Sequence, residues 1–144
     1  MSDTRVLKQN VEDAINLFIQ NDTELLNLRV YELAVSHRIA VYLEKIFDDK
    51  GLNFDCEYDK RFDLKKPGPD DKPMRPDILV HTRNSQDNNK LAIEIKKQHV
   101  FRRDIEKLKM LTNQDGIYKY ALGVFIYFLN GEPQYKWFEN GTEI

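Results

Sequence analysis

Residues Tyr120 to Leu129, YALGVFIYFL, are almost continuously apolar. A strand of that composition needs cover on both faces, so it reads as the central strand of a sheet with other layers packed against it. Asn130-Gly131 directly after it is a strong hairpin signal, and Tyr135 to Phe138 would be the returning strand. Pro133 lacks an N–H and would place that returning strand at an edge.

The cover must come from the rest of the chain, whose first half has a helical period. Val6, Leu7, Val11, Ala14, Ile15 and Phe18 mark one helix. Asn21-Asp22-Thr23 interrupts it and offers N-caps. A longer helix is expected from about Glu24 to Asp48, with Gly51 stopping it. Its stripe is Leu25, Leu28, Val35, Ile39, Leu43 and Ile46, stepping by three or four except between Leu28 and Val35. Glu32 fills that gap, a carboxylate in the middle of the face expected to be buried.

Beyond Gly51 the period changes to two. Leu52, Phe54, Cys56 and Tyr58 alternate with Asn53, Asp55 and Glu57, the pattern of a half-buried strand. Residues 63–75, DLKKPGPDDKPMR, hold three of the five prolines and read as a mobile loop. PDILVHT (76–82) and KLAIEIK (90–96) read as two further strands around a polar turn at 84–89. In the latter, Leu91, Ile93 and Ile95 share one face while Ala92, Glu94 and Lys96 share the other. A helix is expected near 101–111, with Phe101, Ile105, Leu108 and Leu111 on one side. The class is therefore α/β: helix, helix, three-strand antiparallel meander, helix, two strands. The passage through the last helix suggests a parallel crossover in a mixed sheet.

At 144 residues and 17.1 kDa the chain fits one domain large enough to bury a core. The net charge of −2 excludes a polybasic nucleic-acid coat but leaves room for a local patch. Lys96 to Met110 carries six basic and two acidic residues, so Lys97, Arg102, Arg103 and Lys107 form a candidate phosphate-tracking surface. The alternative is a solvated helix face with i,i+3 pairing such as Asp104 with Lys107. One cysteine, Cys56, excludes an internal disulfide and a Cys-rich zinc site, and His37, His81 and His99 form no H-x-x-x-H pair. The polar N-terminus and the lack of ~18 consecutive apolar residues suggest a cytoplasmic location. There is no P-loop, G-x-S-x-G or H-E-x-x-H signature.

Chemistry gathers at four positions. Asp77 begins the second strand. Glu94 and Lys96 lie two apart on the third and point the same way. Two adjacent antiparallel strands could bring Asp77 to Glu94, and a helix packed on that sheet could add Glu32. Carboxylates gathered in this way repel one another unless a cation is present, and hard oxygen ligands suit Mg²⁺ or Mn²⁺. A neighbouring lysine could hold an attacking water or stabilise charge on a phosphate. His81 shares a strand face with Asp77 and could line the cleft, though a satisfied histidine on a half-buried strand is the commoner outcome. Ser36, one turn after Glu32, is more often a packing hydroxyl. Tyr58 and Arg61 could approach a phosphate but are more often solvent-exposed.

Pro76-Asp77, a seventeen-residue offset, then Glu94-Ile95-Lys96 resembles the signature of the PD-(D/E)xK nuclease superfamily. The resemblance covers about residues 24–129, leaving the first helix and the C-terminal hairpin strand as additions. It implies a restriction-endonuclease-like fold and metal-dependent cleavage of DNA, in repair, recombination or phage defence. It implies that Asp77 and Glu94 bind Mg²⁺ or Mn²⁺, that Glu32 binds it directly or through water, and that the Ile95 carbonyl is a further ligand. Lys96 would position or activate water. A duplex cut by one centre per chain would call for a homodimer. RNA remains a second substrate class, and a non-catalytic nucleic-acid- or protein-binding module of the same fold is the competing reading. In a purely structural arrangement, Lys96 would pair with Glu94, Glu32 with Arg38 or another base, and Asp77 would cap its loop.

Overall fold

A computed structural model describes residues 4–27, 32–47, 51–62, 64–97 and 102–144. Helix α1 spans Thr4–Asp22, α2 spans Glu24–Asn27 and α3 spans Glu32–Ile46. The long helix expected over 24–48 thus corresponds to α2 and α3; Leu28 of its stripe and Asp48 lie outside the described residues. Val35, Ile39 and Leu43 are fully buried on α3, as the three-and-four spacing requires.

Six strands form the main sheet: β1 (Asn53–Cys56), β4 (Ile78–His81), β5 (Leu91–Lys96), β6 (Leu122–Leu129), β7 (Glu132–Glu139) and β8 (Thr142–Glu143), adjacent in that order. Among the described residues only β5 and β6 run parallel, joined through α4 (Arg102–Thr112); the other pairs of this sheet are antiparallel. The expected α/β class, the meander and the crossover are all present. Leu91, Ile93 and Ile95 of β5 and Leu122, Val124 and Ile126 of β6 face α1 and α3. Ala92 and Phe125 face the other way, with Leu108 and Leu111 of α4. The run from Leu122 to Ile126 is buried throughout because it has a layer on each side. Gly123 sits where α4 comes closest: a Cβ there would lie 2.9 Å from Thr112 Cγ2 and 3.3 Å from Leu108 Cδ2.

Two expectations change at the C-terminus. Strand β7 starts at Glu132 and includes Pro133, paired in register with Phe128. It is not the edge strand, because β8 adds beyond it, but only at Phe138 and Glu139, so Pro133 still has no partner on its outer side. The sequence signal for β8 is a second Asn-Gly. Asn130-Gly131 and Asn140-Gly141 both adopt positive φ at both positions (51° and 79°, 49° and 76°), the two-residue turn that matches strand twist.

The proline-rich segment also departs from expectation. Short strands β2 (Lys60–Arg61) and β3 (Leu64–Lys65) pair as a separate ribbon. A 3₁₀ turn covers Pro69–Asp71, and Pro67 bridges Pro73. Tyr118 Oη donates to the Pro67 carbonyl, and Arg103 donates to those of Pro69 and Pro73, each at 3.2 Å. Prolines remove backbone donors, so beside the backbone bonds Met74 N–H to Lys66 O (3.0 Å) and Lys72 N–H to Pro69 O (3.2 Å), side chains from outside bond the loop's carbonyls.

Candidate functional site

The register of β4 on β5 sets Ile78 opposite Ile93, so the next residue outward, Asp77, meets Glu94. Asp77 has left the ladder, and its backbone N–H donates to Glu94 Oε2 at 2.8 Å. In return Asp77 Oδ2 accepts the Ile95 N–H at 2.7 Å. Each carboxylate is thus fastened by the other strand's backbone.

Helix α4 packs over this face and closes it with charge. Lys107 Nζ forms an ion pair with Glu94 Oε1 and reaches Asp104 Oδ1 at 3.1 Å. Lys96 Nζ lies 3.7 Å from Asp104 Oδ2 and 3.7 Å from Glu32 Oε1. Glu32 Oε2 accepts the Lys97 N–H at 3.0 Å. The network holds four carboxylates (Asp77, Glu94, Asp104, Glu32) and two ammonium groups, leaving two negative charges unbalanced when all are ionised.

Burial makes that imbalance costly. Glu94 is 1% exposed and its carboxyl is pushed well above its ordinary value, first by desolvation and then by the negative charge of Asp77. Asp77 is pushed up to about 6, mainly by burial, against the opposing pull of the Ile95 N–H, Lys107 and Lys96. Burial pulls Lys107 down, but Glu94 and Asp104 together hold it above its ordinary value.

Several site residues stand elsewhere than expected. Glu32 is not buried: its side chain is 39% exposed. Helix α3 covers the face opposite Glu94, so Glu32 reaches the group around the end of β5. Lys107 is not on an exposed basic face: it is 9% exposed and turned onto the sheet. Of the other expected phosphate contacts, Arg102 is exposed, Arg103 is exposed but bonded to the proline loop, and Lys97 is half-buried at the strand end. His81 sits at the far end of β4, bonded to Asp55 at 2.8 Å. Ser36 is buried inside α3's packed face.

Asp104 was the residue missed, since the sequence offered it only as a surface partner of Lys107. The available signal was spacing: 104, 107, 108 and 111 step as one buried helical stripe, and all four are buried. Asp104 Oδ2 is buried without a hydrogen-bond partner, a hard oxygen left unsatisfied beside the Asp77–Glu94 pair. The donor chemistry fits an oxygen-seeking divalent cation. Among the described residues, however, no group of three or more His, Cys, Asp or Glu side chains is arranged to hold a metal ion. Glu94 Oε1 is taken by the Lys107 ammonium. No protein-family model, curated protein or solved structure matches the chain. No helix among the described residues is long and apolar enough to cross a membrane.

Proposed function

We propose that the chain is a metal-dependent nuclease hydrolysing phosphodiester bonds in DNA, on a PD-(D/E)xK core over about residues 24–129. The observation that supports it most is the reciprocal fastening of Asp77 and Glu94, with Lys96 two residues on at the same strand end. Lys96 stands 3.7 Å from both Glu32 and Asp104 at the rim of this group. Asp77 and Glu94 would hold Mg²⁺ or Mn²⁺, with Glu32 and the Ile95 carbonyl as the further positions that the resemblance brings. The bound cation would acidify a water and neutralise charge on the phosphate. Lys96 has its side chain 26% exposed, so its ammonium can face both solvent and a phosphate at the cluster. Its part would be to hold the water and oppose the charge that develops in the transition state. Lys97 directly follows β5 and Arg102 opens α4, and these two would meet neighbouring phosphates.

A second reading has its own observation. Lys107 already neutralises Glu94 from within, as a retired site would. That favours a non-catalytic nucleic-acid-binding module.

A cleavage panel separates the two. Single-stranded, duplex, flap and branched DNA, with RNA alongside, would be incubated with Mg²⁺ or Mn²⁺. The nuclease reading expects cleavage that Asp77→Ala and Glu94→Ala abolish. Lys96→Ala should keep metal binding and slow the reaction by ~10²–10³. Binding without cleavage on any substrate supports the module, and cleavage by Asp77→Ala at the parental rate refutes the site.

A further inference from the structure

At the far end of β4 from Asp77, a cleft opens between the β2–β3 ribbon, the turn after His81 and the segment before β6. Its free space, open mouth included, is about 310 Å³, and little of that lies deep between the walls. Three cations line it: Lys60, which is exposed, and the two that matter here, Lys66 and Arg61. Lys66 is 3% exposed, with its Nζ held over the faces of Tyr118 at 4.9 Å and Tyr58 at 5.6 Å. Among the described residues its ammonium has no ion pair with a carboxylate; the Asp59 carboxylate acts on it only through space. Arg61 presents a buried Nε that has no hydrogen-bond partner. His81, a further basic group in the wall, is committed to Asp55 and to the Tyr120 hydroxyl.

A buried ammonium beside a buried, unsatisfied guanidinium N–H is an arrangement that desolvation penalises. The tyrosine faces offset part of the ammonium's cost but give the Arg61 N–H nothing. A small oxyanion would answer both, accepting from the guanidinium in the plane and from the ammonium at a point. The space is too small for a base and sugar as well, so the recognised group is the anion itself.

We propose that this cleft is a phosphate site in which Lys66 and Arg61 bind one phosphate group, free or at the end of a nucleic-acid strand. The inference rests on residues outside the Asp77–Glu94 cluster and stands whether or not that cluster cleaves DNA.

The test is calorimetric titration of the metal-free full chain with inorganic phosphate in a chloride buffer at neutral pH. The parent should bind, and Lys66→Met and Arg61→Gln should each weaken binding by about tenfold or more. Their circular dichroism should match the parent's. Arg61→Gln keeps the test decisive if Lys66→Met fails to fold. A second arm compares one oligonucleotide with a 5′-phosphate or a 5′-hydroxyl. A phosphate-dependent gain that Arg61→Gln removes assigns the site to strand ends; equal binding of the two assigns it to the free ion. No heat at tens-of-millimolar phosphate, or phosphate affinity unchanged in both variants, overturns the proposal.

Discussion

Replacing Lys107 with methionine removes the ammonium from the buried network while keeping its length and stem. Glu94 and Asp104, 1% and 6% exposed, would then face each other and Asp77 with that charge gone. Removing one partner of a buried pair commonly costs about 3–5 kcal/mol. The loss here should sit at the lower end, roughly 2–4 kcal/mol, because Glu94 can escape by taking a proton and keeps the Asp77 N–H. For a chain of this size that is a fall in Tm of roughly 6–12 °C without metal. Its pH dependence follows from Glu94, whose folded-state pKa lies above the unfolded value and rises further in the variant. A carboxyl of that kind binds more protons folded than unfolded, so stability falls as pH rises above the unfolded value. The gap between Lys107→Met and parent should therefore widen from pH 5 to pH 8. Added Mn²⁺ should stabilise Lys107→Met more than the parent, since an ammonium no longer competes for Glu94 Oε1. At a hundredfold excess over Kd that gain is about 2.7 kcal/mol. Thermal melts of both proteins at two pH values, with and without Mn²⁺, measure all of this. Equal melting of the two would show that Lys107 compensates no buried charge. Equal Mn²⁺ shifts would show that ammonium and cation do not share a place.

Burial pushes Lys66 down to about 8, so its charged form weakens the fold below that pH and is relieved as pH rises toward 10.5. Lys66→Met should be more stable than the parent by up to ~3 kcal/mol at pH 7. That advantage should shrink by pH 10, read as urea midpoints; parallel midpoints would refute the assignment. Gly123→Ala should cost ~1–3 kcal/mol through its contact with Thr112 Cγ2. Thr112→Ser in the same chain should recover part of the loss, and no recovery would place the strain elsewhere.

The layered sheet was legible because each of its elements announces itself locally. YALGVFIYFL demands two covered faces, KLAIEIK alternates cleanly, and Val35-Ile39-Leu43 steps as a helix must. Asp77 and Glu94 were legible for the same reason. Consecutive antiparallel strands could bring the two together, and the register that sets Ile78 opposite Ile93 does so. What failed locally was whatever depends on a partner distant in sequence. The proline loop looks unsupported until Arg103 and Tyr118 arrive to bond its carbonyls. Pro133 looks like an edge marker until β8 adds a short strand beyond it.

Helix α4 shows most clearly why charge counting misplaces a surface. Apolar spacing fixes a helix's buried stripe only to within a residue or so on either side, and here the margin decides the chemistry. Leu108 and Leu111 turn Asp104 and Lys107 onto the sheet along with them. That rotation is tolerable because Glu94 lies beneath to receive the ammonium; over an apolar strand the same lysine would be driven out to water. The excess of basic residues in the segment therefore divides by direction. Lys107 faces inward against Asp104 and Glu94, while Lys96, partly exposed at the strand end, reaches Asp104 and Glu32 from the rim. Lys109 pairs with Glu106 at 4.0 Å, and Arg103 spends its donors on the proline loop. Of the basic residues expected to track phosphates, this leaves Arg102, which opens the helix beside Pro69, Asp70 and Lys72 of the proline loop, and Lys97 at the end of β5, rather than the length of the helix.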